Sequence, residues 1–138
     1  MKKFLKIFTI TCITSILFMA FFVLVSGFRK ISDAYIGEYV VSEDGNEITV
    51  QTGVAGSVGA VRMLLPYKEN EILYLDAYAA FGGLNGYLGA KNEESFLLSE
   101  DTTVIALYRS SNRYEVILEK DEAGIWKRVP LGTFIERK

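Results

Sequence analysis

The sequence predicts an all-β body, an antiparallel sandwich or small barrel of about seven or eight strands, preceded by one N-terminal transmembrane helix. Three observations predict it. Between Ile7 and Phe28 lie 22 consecutive uncharged residues, with Lys2, Lys3 and Lys6 before them and Arg29-Lys30 after. Beyond Lys30, apolar and polar residues alternate with period two, the signature of half-buried strands. The polar links between those runs are a few residues long, too short for the crossovers that parallel strands need, so neighbouring strands are expected to be antiparallel.

The apolar run, rising about 1.5 Å per residue, spans roughly 33 Å and covers a hydrocarbon core of about 30 Å. Residues 1–6 then form a basic cytoplasmic tail, residues 7–28 the anchor, and residues 31–138 the β-domain. A cleaved signal sequence is the competing reading, with Val25-Ser26-Gly27 as its cleavage site. Its apolar stretch would usually be about 7–15 residues, shorter than this one. No cysteine follows the run, so there is no lipid-attachment box. Thr9, Thr11, Thr14 and Ser15 are compatible with a membrane helix, because their hydroxyls can bond back to the preceding turn. Three basic residues before the run against two after it put the N-terminus in the cytoplasm. Anchor and signal alike leave the body extracytoplasmic, at the cell membrane in the first case.

The expected strands are 35–41, 47–52, 59–65, 71–79, 95–98, 103–108, 114–119 and 125–129. In the second, Ile48 and Val50 point one way and Glu47, Thr49 and Gln51 the other. In the seventh, Tyr114, Val116 and Leu118 share a face. Asp44-Gly45 is a strong hairpin signal. Lys68-Glu69-Asn70, Arg109 to Arg113 and Lys120 to Gly124 are short polar links. Pro66 and Pro130 are positioned as breakers, Asn92 to Asp101 could hold a short helical turn, and the tail from Leu131 can pack through Phe134 and Ile135 or fray.

Composition excludes several functions. From Arg29 onward the chain holds 12 Lys and Arg against 17 Asp and Glu, a net charge of −5. That balance opposes nucleic acid, which needs a basic face, and opposes lying flat on anionic lipid. The chain has no histidine, and its one cysteine, Cys12, lies in the apolar run. Disulfides within the body, Cys/His zinc sites and His-based triads are therefore ruled out. No catalytic residue, metal ligand or cofactor is assigned. Carboxylates alone could support a hydrolase, but no separated acid pair stands out. All eight tyrosines lie in the body, whereas six of nine phenylalanines lie in the first 28 residues. Tyrosine suits a half-buried pleated surface with one wet end.

Two glycine-bearing stretches could be more than turns. Gly53 to Gly59 has a GxxGxxG spacing but lacks the Lys-Ser/Thr and helix of a phosphate loop, and reads as a turn or bulge. Phe81 to Glu93 holds four glycines in eight residues. Glycine permits close backbone approach, and Asn85, Tyr87, Lys91 and Asn92 would supply amides, a flat ring and a cation. These four are the candidate ligand contacts, suited to a polar, carbohydrate-like or peptide ligand.

The run Tyr78-Ala79-Ala80-Phe81-Gly82-Gly83-Leu84-Asn85, then Gly89-Ala90-Lys91-Asn92-Glu93, Ile105 to Arg109, and Tyr114-Glu115-Val116-Ile117-Leu118-Glu119-Lys120 up to Trp126 resembles a group of uncharacterised small secreted or membrane-anchored domains of Gram-positive bacteria. Some related segments follow membrane-embedded sensor-peptidases of the antibiotic-sensing type. The resemblance covers about residues 48–128 and implies a bacterial extracytoplasmic β-domain. It brings no catalytic residue, and the zinc signature His-Glu-x-x-His is impossible without histidine. The expectation is thus a membrane-anchored binding or sensing module of the cell envelope. Its partners are lipid through residues 7–28 and an envelope protein or polar ligand. A small accessory subunit of a membrane complex, or a carboxylate-based envelope-polymer hydrolase, is the alternative.

Overall fold

The computed structural model describes residues 2–26, 29–56, 59–80 and 90–137. Helix α1 spans Lys2–Ser26. Within it, Lys2–Phe22 has a mean hydropathy of 2.0 and none of its surface buried, so it is long and apolar enough to cross a membrane. Thr9, Thr11 and Thr14 donate their hydroxyls to the carbonyls of Leu5, Ile7 and Ile10 at 2.9–3.0 Å, so these polar groups are satisfied within the helix.

The body is a two-sheet, sandwich-like fold and not a closed barrel. Strands β1 (Ala34–Val41), β2 (Glu47–Val54) and β5 (Glu93–Leu97) form a small antiparallel sheet in the order β1-β2-β5. The larger sheet runs β3 (Ala60–Glu69), β4 (Ile72–Ala80), β6 (Val104–Ser110), β7 (Arg113–Lys120) and β8 (Trp126–Arg128). Strand β9 (Phe134–Glu136) pairs with β7.

The core lies between the sheets. Ile48 and Val50 of β2 and Phe96 of β5 meet Leu73 and Leu75 of β4, Ile105 and Leu107 of β6, and Ile117 and Leu118 of β7. Ile48, Val50, Leu75, Ile105, Leu107 and Leu118 are all fully buried, each contributing about 1.5–3 kcal/mol of transfer free energy.

Several expectations need correction. Among the described residues the eight expected stretches are all strands, and the tail adds a short ninth. Strands β4 and β6 are parallel neighbours. The links read as short are indeed antiparallel hairpins, but β4 and β6 are joined through β5, which crosses to the other sheet and supplies the length a parallel pair needs. The Asn92–Asp101 region is strand β5 followed by a turn, not helical. The tail forms β9, with Ile135 packed against buried Tyr74 and Tyr114. Pro66 sits inside β3 opposite Leu75. An edge strand tolerates it because the missing donor points away from the ladder: Leu64, two residues earlier, sends its outward N–H to a Glu94 oxygen at 2.6 Å. Tyr114 and Leu118 do not share a face. Ile105 pairs with Leu118 and Ala106 with Val116, leaving Ile117 as an extra residue that flips the alternation.

Side chains tie the sheets together at both open edges. On one, the Arg109 guanidinium donates to the carbonyls of Ser32 and Ala34 (3.0 and 2.6 Å) and Arg128 to that of Ile36 (3.2 Å). Arg109 is held by Glu115 at 2.7 Å, and the other Glu115 oxygen accepts the Gly132 amide at 2.7 Å. On the other edge, Glu94 caps β3 and the Lys91 amide donates to the Val61 carbonyl at 3.1 Å.

These two corner carboxylates titrate oppositely. Burial pushes the Glu115 carboxyl up, but the Gly132 amide and Arg109 outweigh it and hold it below its ordinary value. Burial pushes Glu94 up, and the Leu64 amide and Lys91 offset this only in part. A depressed carboxylate contributes stability above its unfolded value of about 4.3 that is lost as pH falls through its folded value; a raised one costs stability as pH rises through the same starting point. Glu115→Ala, which strands the Arg109 charge, is expected to cost about 3 kcal/mol at neutral pH. It should also shrink the loss of stability on acidification. Glu94→Gln keeps an acceptor for Leu64 and should leave neutral-pH stability unchanged or higher. Urea unfolding across pH 3–8 checks both, and an Ala variant as stable as wild type would remove the Arg109–Glu115 pair from this role.

Candidate functional site

The outer face of the large sheet holds most of the tyrosines. Strand alternation puts Tyr67, Tyr74, Tyr78, Tyr108 and Tyr114 there. It is a packed surface and not an aromatic groove. Tyr74 and Tyr114 are 5% and 1% exposed and meet edge to face at 4.7 Å. The Tyr114 hydroxyl donates to Asp76 Oδ1 at 2.8 Å, and Lys30 Nζ lies 2.6 Å from Asp76 Oδ2 and 3.9 Å above the Tyr108 ring. Burial works against the Lys30 charge, but Asp76 outweighs it and raises its pKa. Burial and the bond to Asp76 raise that of Tyr114. Arg137, beyond β9, stacks on Tyr67 of β3 at 3.9 Å. Those strands lie four places apart in the sheet order, about 19 Å if the sheet were flat, so the sheet coils inward and closes its own outer face.

The outer face of the small sheet is different. Here Tyr35, Gly37, Gln51, Thr52, Asn92 and Glu93 line a shallow depression of about 350 Å³. Tyr35 and Gly53 are cross-strand partners, and the half-exposed Tyr35 ring occupies the place a Cβ on Gly53 would need. The ring is therefore laid flat along the sheet by the absence of a side chain opposite it. Gly37 lies in a β-bulge: Ile36 pairs with Thr52 and Tyr39 with Val50, so Gly37 and Glu38 together face Gln51. Gly37 has no left-handed φ, and an added Cβ would meet nothing closer than 3.7 Å. Neither backbone nor packing requires glycine there, but a side chain would fill the depression. The far wall is fixed by Thr52, whose amide donates to the Asn92 carbonyl at 2.8 Å and whose hydroxyl donates to the Lys91 carbonyl at 3.0 Å.

Of the four expected contacts, Asn92 lines the depression. Lys91 is next to it, largely exposed, with its ammonium 3.9 Å from Glu94. Asn85 and Tyr87 lie outside the described residues. Tyr35, Gly37, Gln51 and Thr52 come from outside the expected loop, while Glu93 is its last residue without being one of the four named contacts. Gly37 carried the usable signal, since glycine inside a strand marks a bulge or close approach; nothing local reveals that Tyr35 faces Gly53. The GxxGxxG stretch supplies Gly53 to β2, and Gly59 takes a φ of +135, as a turn or bulge would.

Among the described residues the depression offers the Tyr35 ring, the Gln51 and Asn92 amides, the Thr52 hydroxyl already bonded to backbone, and the Glu93 carboxylate, with no second carboxylate beside it. Among the described residues, no three His, Cys, Asp or Glu side chains gather as a metal site. Two other depressions sit at the β6–β7 and β7–β8 turns and present no aromatic floor.

The chain matches no protein-family model, no curated protein and no solved structure.

The geometry separates the two glycines. Gly37→Ala is expected to leave the urea midpoint within about 1 kcal/mol of wild type while occupying the depression. Gly53→Ala should displace the Tyr35 ring, seen as a shift of its ring resonances by NMR. Unchanged Tyr35 resonances would show that Gly53 does not set the ring's position.

Proposed function

We propose that the protein is a membrane-anchored binding module of the bacterial cell envelope, with its N-terminus in the cytoplasm, its body outside, and a polar, carbohydrate-like ligand bound on the outer face of the small sheet. The observation that carries the ligand class is the Tyr35–Gly37 depression. A flat aromatic ring flanked by amides and a carboxylate fits a sugar ring, which has apolar C–H faces and a hydroxyl rim. Gln51 and Asn92 supply paired donors and acceptors, and Glu93 accepts from hydroxyls. The wide, shallow opening fits a segment of polymer better than a buried small molecule.

Supporting the anchor are the exposed apolar helix and the basic residues on its N-terminal side. The resemblance to anchored or secreted domains of Gram-positive bacteria supports the cellular setting. No acid pair in the depression favours hydrolysis, so binding is the reading adopted.

Full-length protein in detergent, titrated with soluble peptidoglycan fragments and monitored by Tyr fluorescence or calorimetry, tests the ligand class. Tyr35→Ala and Asn92→Ala should fold normally and weaken binding by about tenfold or more, the scale of one lost ring contact or charge-free hydrogen-bond pair. Binding untouched by both would remove the depression from the function. Orientation is tested separately. Protease added to intact spheroplasts should remove the body, and a protected body would reverse the topology.

A further inference from the structure

The strands of both sheets run between two ends of the sandwich, and the N-terminal helix joins at one of them. Helix α1 ends at Ser26, and by Arg29 the chain is already in the large sheet. The Ala79 amide donates to the Arg29 carbonyl and the Ile31 amide to the Ala77 carbonyl, both at 2.8 Å. Since β3 covers the other edge of β4, residues 29–31 lie on the side that β6 occupies beside Ile72–Leu75. The salt bridge from Lys30 to Asp76 fixes this segment a second time. Three Cα steps, at most about 11 Å, separate the helix end from the sheet. At this tether end lie the close of β2 and β4, the starts of β1, β3 and β5, and the β6–β7 turn.

Charge divides along the same axis. The turns at the far end, residues 43–47, 68–71, 99–103 and 120–125, carry nine acidic residues and two basic ones. At the tether end, residues 53–56, 59–60, 77–80 and 90 carry no charge, residues 109–113 carry two arginines and no acid, residues 29–33 two basic residues and one acid, residues 91–94 one lysine and two glutamates, and residues 136–137 one glutamate and one arginine. The net −5 of the body is therefore concentrated away from the tether.

We infer that the tether end of the sandwich rests on the lipid surface, with Arg29, Ala55, Ala90 and the Ser111–Asn112 turn facing the headgroups. This rests on the anchored topology proposed above. A body held within about 11 Å of a membrane helix must present one end to the bilayer, and this chain presents the end without acidic turns. Basic groups near an anionic surface are attracted, and acidic ones are repelled. The acidic far end then points away from the lipid, and the Tyr35 depression stands near the headgroup zone.

The test uses the full chain with Cys12→Ser and a single cysteine at Ala55 or at Asp44, labelled with an environment-sensitive fluorophore. The protein is reconstituted into vesicles of phosphatidylcholine and phosphatidylglycerol containing a headgroup spin-labelled lipid. Quenching at position 55 should exceed that at position 44 severalfold. It should survive insertion of a long, flexible Gly-Ser linker between Gly27 and Phe28. Equal quenching at the two positions, or loss of the difference once the linker is inserted, overturns the seating while the protein still floats with the vesicles. A protein that fails to float overturns the anchor itself, and the seating with it.

Discussion

Closure of two sheet edges by side chains is the constraint on which the rest of this fold depends. A small sheet of three strands has two edges, each a row of unpaired backbone groups. Here β1 and β5 are those edges, and neither is left to water along its whole length. Arg109 and Arg128 give their donors to alternate carbonyls of the β1 segment, Ser32, Ala34 and Ile36. Glu94, reaching from β5, accepts an amide of β3. The Tyr39 hydroxyl adds a bond to the Trp126 carbonyl. These bonds hold the sheets in the one alignment that buries Ile48, Val50 and Phe96 against the larger sheet. They cost desolvation of charged groups, which is why each charge is met more than once. Arg109 has Glu115 and two carbonyls, while Glu115 has Arg109 and the Gly132 amide.

The same logic reaches the connection to helix α1. Arg29–Ile31 is a short chain segment that could have been a loose linker. It is instead hydrogen-bonded to β4 and pinned by Lys30 to Asp76, which in turn accepts from Tyr114. The helix and the central strands are thus joined through a polar network on the outer face of the large sheet. The tyrosines of that face serve this network. Tyr74, Tyr108 and Tyr114 pack with Ala106, Ile72 and Ile135 and form a second, smaller core outside the sandwich. Coiling of the sheet makes this core accessible to Arg137, four strands away from Tyr67.

Much of the fold was legible because period two is a local signal. The alternation in Glu47–Gln51 sorts core from solvent correctly, and Asp44-Gly45 marks its hairpin, with Gly45 at a φ of +72. What was illegible was non-local. The parallel pairing of β4 with β6 depends on β5 leaving for the other sheet, which no turn residue announces. The bulge at Ile117 inverts a face that looked continuous in sequence. Pro66 reads as a breaker until the strand that holds it is known to be an edge. The site was legible to the extent of Asn92 and its neighbour Lys91, found through the glycines before them. Its other wall, Tyr35 with Gly37, comes from a strand more than fifty residues earlier, and only register brings it close.

That register explains why the small sheet, and not the tyrosine-rich large one, has the open surface. On the large sheet four rings pair with one another, Tyr67 opposite Tyr74 and Tyr108 opposite Tyr114, and Tyr78 lies opposite Met63. Side chains there fill the space above the backbone. On the small sheet Tyr35 meets Gly53, and Gln51 meets a bulge that contains Gly37. Each large side chain is set against a glycine, so the ring lies down and the space beside it stays empty. A packed sheet surface gains stability from cross-strand side-chain pairs, and this one forgoes them at two adjacent positions. Gly37 could carry a methyl group without strain, so stability alone does not account for the depression. The ligand binding proposed above supplies an account, because a bound ring would complete the packing over the flat aromatic floor that this sheet leaves open.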